Sequence, residues 1–364
     1  MEYAKQVQPS GYYSNEWLEK MRQIGDPMAD RLMLFFKEQN IPPEQWLKTI
    51  EVQVNKKQPD FIEFYDQVTH VPEWAKKEDL QLGKQAGLRY SILSGLALLG
   101  GSLLESYSAS KGAKVLIATG RLKKDVLLRL FETAQFCYEI VKSQGPFPGE
   151  PAWRLVIFIR LLHASVRYDL LRKGWNLEYG YPVNQEDYAG TLLMFSYVFR
   201  RALKKLGVEL TLQEESSMHL QWRYVGYLLG VHPDLLTKNL SEEVELYRTI
   251  SARQCNPDED SKTLAHALVN AVDGSKPFYL PKEALYELAR IMIGNDLANA
   301  YQFPRSTFWA TFWQSATLPN RFLSSLSLKV DSLDYIFQTG GDWITQQIIH
   351  AGLQGHSFLQ RASA

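Results

Sequence analysis

Apolar residues recur every three to four positions along most of this chain, the spacing that lays one face of an α-helix against a core. The pattern predicts helices over about 15–39, 43–56, 60–70, 85–107, 121–143, 152–173, 185–206, 211–230, 241–254, 260–272, 281–300 and 330–351. The interruptions carry turn residues: Pro42-Pro43, Gly112, Gly145-Pro146, Pro148-Gly149, Gly180-Tyr181-Pro182, Pro233, Asn256-Pro257 and Gly340-Gly341. One run, Val115–Thr119, has strand character, and a lone short run makes no sheet. The expected fold class is all-α: a single large helical bundle over residues 1–364, with its core over about 20–325 and peripheral helices at both ends. No internal repeat, low-complexity tract or long polar linker interrupts it.

Composition then removes several function classes. Of 364 residues, 45% are hydrophobic and 22% charged, and forty Lys and Arg balance forty Asp and Glu. Disorder requires low hydrophobicity and a large net charge. Nucleic-acid binding and electrostatic attachment to a membrane surface both favour a basic excess, which is missing here. No nucleic-acid partner is therefore expected, and no protein partner is legible. Cys137 and Cys255 are too few for a disulfide scaffold or a four-thiolate metal site, and both read as small core hydrophobes. The first residues hold no apolar run, so no secretory signal is expected. The most apolar stretch, Ile92–Leu104, is too short to span a bilayer. The expectation is a cytoplasmic protein without a transmembrane segment.

Familiar catalytic signatures fail. Tyr107-Ser-Ala-Ser-Lys111 imitates the Tyr-x-x-x-Lys pair of short-chain dehydrogenases. The strand, Gly-rich turn and helix that would hold a nicotinamide cofactor are missing upstream, so the segment reads as a helix end. There is no phosphate-binding loop, no G-x-S-x-G elbow, no H-E-x-x-H and no Glu-x-x-His pair.

The segment Ala152–Lys173 is different. Leu155, Val156, Ile157, Phe158, Ile159, Leu161 and Leu162 cover nearly every direction of its helical wheel, which is the mark of a buried helix. Yet Arg160, His163 and Arg167 share one stripe, at i, i+3 and i+7. A buried guanidinium stays protonated and must be paired. Asp169 and Glu139 are the partners in view, and Asp169 points away from the stripe. Two readings remain open. One is an internal Arg–Asp network with His163 hydrogen-bonded in the core. The other is an anionic ligand with an apolar body, a description that haem fits: a greasy macrocycle, two carboxylates and an iron that takes neutral imidazole.

Neighbouring segments bear on that choice. Over Arg121–Lys142, Arg129 and Thr133 fall inside the apolar arc of Leu122, Val126, Leu130, Cys137 and Ile140, while Glu132 falls at the solvated edge. The Thr133 hydroxyl also has a local option, the carbonyl four residues back. The preceding helix is rich in Gly, Ala and Ser, and each interior Gly costs about 1 kcal/mol relative to Ala. Its stripe Ser94, Leu98, Gly101, Glu105 makes Glu105 a candidate general base looking into a cavity, or else the end of a tightly packed helix. Thr191 opens a later apolar helix, and His219 is a rival iron ligand. His70, His232, His266, His350 and His356 fall near expected helix ends or loops.

Taken in order, Gly25-Asp26-Pro27, Thr119-Gly120-Arg121-Leu122, Arg129-x-x-x-Thr133, Arg160-x-x-His163 and Trp222-Arg223-x-x-Gly226 resemble the family of latex-clearing rubber oxygenases and fungal MpaB-type oxygenases. The resemblance runs from about Gly25 to Gly230 and beyond. It implies an all-α haem b protein with globin-like core packing around the haem. His163 would be the metal ligand, and Arg160, Arg129, Thr133 and Thr191 would lie by the cofactor. Two departures stand out. Glu132 occupies the position where the latex-clearing proteins carry a Lys, and no Glu aligns with their distal base, so Glu105 rests on its own stripe. With neither a secretion signal nor the fungal membrane span in view, rubber itself is a poor substrate expectation.

The reaction expected is that of a haem b-dependent oxygenase of the dioxygenase type, using O2 on an apolar, unsaturated, isoprenoid-like substrate, with C=C cleavage the family-suggested outcome. Glu105, Arg129 and Thr133 would be catalytic. His163, Arg160, Arg167, Arg129, Thr133 and Thr191 would hold the cofactor. Phe195, Phe199, Tyr224 and Tyr227 suggest an apolar pocket. The alternatives are a haem-binding sensor or carrier without turnover, and a helical interaction protein without haem.

Overall fold

The computed structural model describes residues 12–120, 126–143, 145–276 and 279–353. Among these the chain is all-α, with one isolated β-bridge between Ala109 and Cys255. The helices are α1 (Asn15–Met21), α2 (Pro27–Glu38), α3 (Trp46–Asn55), α4 (Pro59–Thr69), α5 (Lys77–Arg89), α6 (Ser91–Ser106), α7 (Ser110–Thr119), α8 (Val126–Lys142), α9 (Pro151–Arg172), α10 (residues 185–205), α11 (Leu212–Leu228) and α12 (Leu240–Gln254). They are followed by α13 (Glu259–Val272), α14 (Lys282–Ile293), α15 (Asn295–Ala300), α16 (Thr307–Ser327) and α17 (Asp331–Leu353).

Helix α9 is the centre. Pro151 starts it, where a missing N–H costs nothing. Leu155, Val156, Ile157, Phe158, Leu161 and Ala164 are buried, as an all-round apolar helix requires. It packs along α2, and its core is shared with α3, α4, α10 and α11. Apolar clusters also join α7 to α13, α14 and α15, and α8 to α17.

Several sequence expectations change, each for a local reason. The helix expected over 15–39 breaks at Arg22–Asp26, because Pro27 disfavours helical backbone before it and Asp26 caps a new start by accepting from Ala29 N. The helix expected over 85–107 begins at Lys77 and bends by 85° between α5 and α6. Val115–Thr119 is not a strand but the end of α7, where packing against α13 outweighs strand propensity. The region before 330 holds an unexpected helix, α16, with Pro319 inside it. It is anchored by buried Trp313, whose indole N–H donates to Ala284 O at 2.9 Å. Cys137 is buried as expected, whereas Cys255 is exposed. Arg121 and Leu122 of the expected 121–143 helix, and His356, lie outside the described residues. Among the described residues no single helix is long and apolar enough to cross a membrane.

Helices α6 and α10 each contain a π-helical turn, Leu98–Leu103 and Met194–Val198. The two turns touch, and Ser102 Oγ donates to Met194 O at 2.7 Å. Such turns leave backbone carbonyls off register, free for a side-chain donor.

Candidate functional site

A cavity of about 580 Å³ lies between α6, α7, α8, α9, α10 and α12. Its apolar wall includes Leu116, Leu130, Phe136, Ile159, Leu162 and Val166. Of the sequence-derived candidates, Glu105, Arg129, Thr133, His163 and Thr191 all line it. Among the aromatic residues expected there, Phe195 lines it, stacked on Trp222 at 5.0 Å. Tyr224 and Tyr227 instead pack against each other and Trp74, and Phe199 belongs to the core beside α14.

His163 comes from the middle of α9. Burial, with the Arg167 and Arg129 guanidinium groups nearby, pushes its pKa down to about 3, so the ring is neutral at pH 7. Its Nδ1 is buried with no hydrogen-bond partner. The edge-to-face ring of Tyr188, 5.3 Å away and tilted by 63°, is its aromatic neighbour. Arg22, Arg167, Arg200, Arg201, Arg223 and Arg290 also hold a buried unpartnered nitrogen, but of these seven residues only His163 lines the cavity.

Arg160 and Arg167, expected beside the cofactor, do not line the cavity and are committed to protein partners. Arg160 forks onto Asp26, Nε to Oδ2 at 2.6 Å and Nη2 to Oδ1 at 3.0 Å. Nη1 donates to Gln67 Oε1 and to Leu228 O, and the guanidinium lies over the Phe64 ring at 4.8 Å. Every guanidinium nitrogen of this cation is engaged. Arg167 Nε donates to Asp30 Oδ1 at 2.8 Å, and its Nη1 to Val183 O and the Tyr188 hydroxyl. Glycines make room for both. A Cβ on Gly230 would stand 2.6 Å from Arg160 Nη2 at φ +78°, and one on Gly25 would stand 2.9 Å from Arg167 Cδ. Gly25-Asp26-Pro27 is thus one device: clearance for one arginine, a carboxylate for the other, and a helix start. The sequence reading missed Asp26 and Asp30. Their i, i+4 spacing at the start of an otherwise apolar helix was the available signal.

Arg129 Nη1 donates to Glu132 Oε2 at 2.8 Å. Glu132 is not at a solvated edge; it lines the cavity, with its side chain 11% exposed. Thr133 Oγ1 donates to Arg129 O at 2.9 Å, and exposed Thr191 donates likewise to Asp187 O at 2.8 Å. Both hydroxyls have spent their protons on the backbone, so they present only oxygen lone pairs to anything bound.

Glu105 accepts from Arg201 Nη2 and from the Tyr247 hydroxyl. Arg201 in turn lies over the rings of Tyr197 and Tyr247. Arg201, Tyr247 and Tyr188 are neighbours that sequence reasoning missed, since nothing at i±3 or i±4 links them to their partners. The rival ligand His219 is excluded by its bonding. Its Nε2 sits 3.1 Å from Thr237 O and its Nδ1 3.3 Å from Glu243 Oε1, which also accepts from Ser196, while Glu243 Oε2 accepts from Arg200. Among the described residues no three His, Cys, Asp or Glu gather as a metal cage.

Comparison with known proteins bears on the family and the fold. Residues 88–319 match the family described as ER-bound oxygenase mpaB/B'/Rubber oxygenase, catalytic domain. A rubber oxygenase of Streptomyces sp. (strain K30) is 25% identical over 199 residues, 53% of this chain and 48% of that protein. The chain therefore spans about half the length of the curated relative it matches. The structure of latex clearing protein LCP in the closed state superposes with a TM-score of 0.64 at 15% identity, covering 93% of this chain and 92% of that one. At that identity the superposition shows a common fold.

Proposed function

The chain belongs to the MpaB and rubber oxygenase family of catalytic domains, and from that premise we propose that it is a haem b-dependent oxygenase acting on an apolar, unsaturated, isoprenoid-like substrate. The observation that carries the reading is His163: a neutral imidazole on the wall of an apolar cavity large enough for a cofactor or a sizeable ligand. That is the donor an iron porphyrin takes. Bound there, haem would supply the activation of dioxygen, chemistry no side chain here provides.

The chain's own part is positioning and polarity. His163 offers iron a ligand that no proton contests at neutral pH. The apolar wall excludes water and favours a hydrocarbon substrate. Arg129 places a cation in the wall, and Glu132 balances it locally, so an anionic group arriving at Arg129 must share it. Glu105 is the carboxylate positioned to receive a substrate proton, and it does so by weakening its bonds to Arg201 and Tyr247. A second reading, haem binding without turnover, is favoured by that same engagement of Glu105.

Oxygen uptake separates them. Haem-loaded protein given an unsaturated isoprenoid should consume O2 steadily. Glu105→Gln should slow uptake about 100-fold or more, within the span of general base catalysis, and leave the bound haem unchanged. No uptake above the saturated analogue would leave the carrier reading standing.

A further inference from the structure

We propose that Tyr188 is a positioning residue for His163, held in place by Arg167 from Asp30. The inference rests on His163 being the iron ligand, and it gives Arg167 an indirect role. A ligating histidine ordinarily donates its other ring N–H to a carbonyl or carboxylate, and that bond fixes the ring plane. His163 has no such bond at Nδ1. The edge of a large, fully buried ring supplies the constraint instead: Tyr188, 3% exposed, meets the imidazole edge-to-face.

Tyr188 is itself held. Arg167 Nη1 donates to its hydroxyl at 3.3 Å, and the guanidinium lies 5.9 Å from its ring centroid. The same Nη1 donates at 3.1 Å to Val183 O, and Val183 sits at φ +51°. A β-branched residue rarely adopts that backbone, so the surrounding contacts must impose it. Gln185 N donating to Ile24 O, and Gln185 Nε2 to Gly25 O, tie the same turn to the start of α2. A continuous chain of contacts thus runs from Asp30 through Arg167 and Tyr188 to the imidazole. The Tyr188 ring sets the plane, and Arg167 sets the ring.

Tyr188→Phe keeps the ring edge and removes the hydroxyl; Tyr188→Leu removes the edge. Histidine-labelled protein without haem would be compared by NMR for wild type and both variants, with His163→Ala identifying the His163 signals. Haem release to a scavenging apoglobin and thermal midpoints would be measured alongside. In Tyr188→Phe the His163 signals should keep their contacts with the aromatic ring, and release should stay within about threefold of wild type. In Tyr188→Leu the signals should move, and release should quicken about tenfold or more, the scale on which outer partners of a metal ligand act, beyond any change matched by the thermal midpoint. Unmoved signals with wild-type release in Tyr188→Leu would overturn the proposal. So would equal losses in Phe and Leu variants that follow their thermal midpoints. Wild type taking up no haem would instead remove His163 as ligand, while the imidazole signals would still decide whether Tyr188 orients the ring.

Discussion

Helix α9 carries two buried polar edges less than a quarter-turn apart, and they are completed differently. On one edge Arg160 is saturated by Asp26, Gln67 and Leu228 O, and Arg167 is tied to Asp30, Val183 O and Tyr188. On the other, His163 faces the cavity with Nδ1 unpartnered. Chemistry alone does not separate them, since all three are polar groups on a buried helix. The cavity separates them, since Arg167 Nη2 is also buried without a partner but only His163 lines the cavity. A polar group whose partners the chain supplies serves the fold, and one left incomplete beside a cavity is available to a ligand.

Partner removal sharpens the contrast. Asp26→Ala should have the largest effect, about 3–5 kcal/mol of stability in denaturant unfolding, because it strands a fully buried guanidinium. Asp30→Ala should cost less, about 1–3 kcal/mol, since Asp30 is partly exposed and Arg167 keeps Val183 O and Tyr188. His163→Ala should change stability by no more than about 1 kcal/mol. Removing an unsatisfied nitrogen offsets the lost packing against Tyr188. Equal losses at Asp26 and His163 would break the comparison.

Acid gives a finer test in protein without haem. The folded pKa of His163 lies near 3, below the ordinary 6.5, so the unfolded chain binds the extra proton first. Its contribution to stability is therefore complete above pH 6.5 and is lost as pH falls from there toward about 3. The slope it adds is at most about 1.4 kcal/mol per pH unit. The stability–pH curve of His163→Ala should be shallower across that window, whereas Arg160 and Arg167 stay charged throughout it and add no slope themselves. Identical slopes would place His163 in a wetter setting than the cavity wall.

The sequence made much of this legible, and the remainder failed for physical reasons. Periodicity placed Arg160, His163 and Arg167 on one stripe because i, i+3 and i+7 is a local relation. It also carried Glu105, Arg129 and Thr133 onto inward faces, and all three line the cavity. The partners of the arginines were not legible, because Asp26 lies 134 residues from Arg160 and Asp30 lies 137 from Arg167. Of the two readings left open for the arginines, the internal Arg–Asp network is the one found, since a folded chain can bring a carboxylate from anywhere. Glu132 was misplaced because a wheel shows direction and not what stands opposite. Helix α16 was missed because Pro319 argues against a helix interior. Val115–Thr119 misled through its β-branched residues, whose preference yields to helix packing.

The most direct measurement is haem reconstitution followed in the visible spectrum, with bound haem counted as its pyridine haemochrome, in wild type, His163→Ala and Asp30→Ala. Expected is a Soret band at near one haem per chain in wild type, lost in His163→Ala and retained in Asp30→Ala wherever that protein is folded. Haem held equally by His163→Ala would contradict the division of α9 into an edge for the fold and an edge for the ligand.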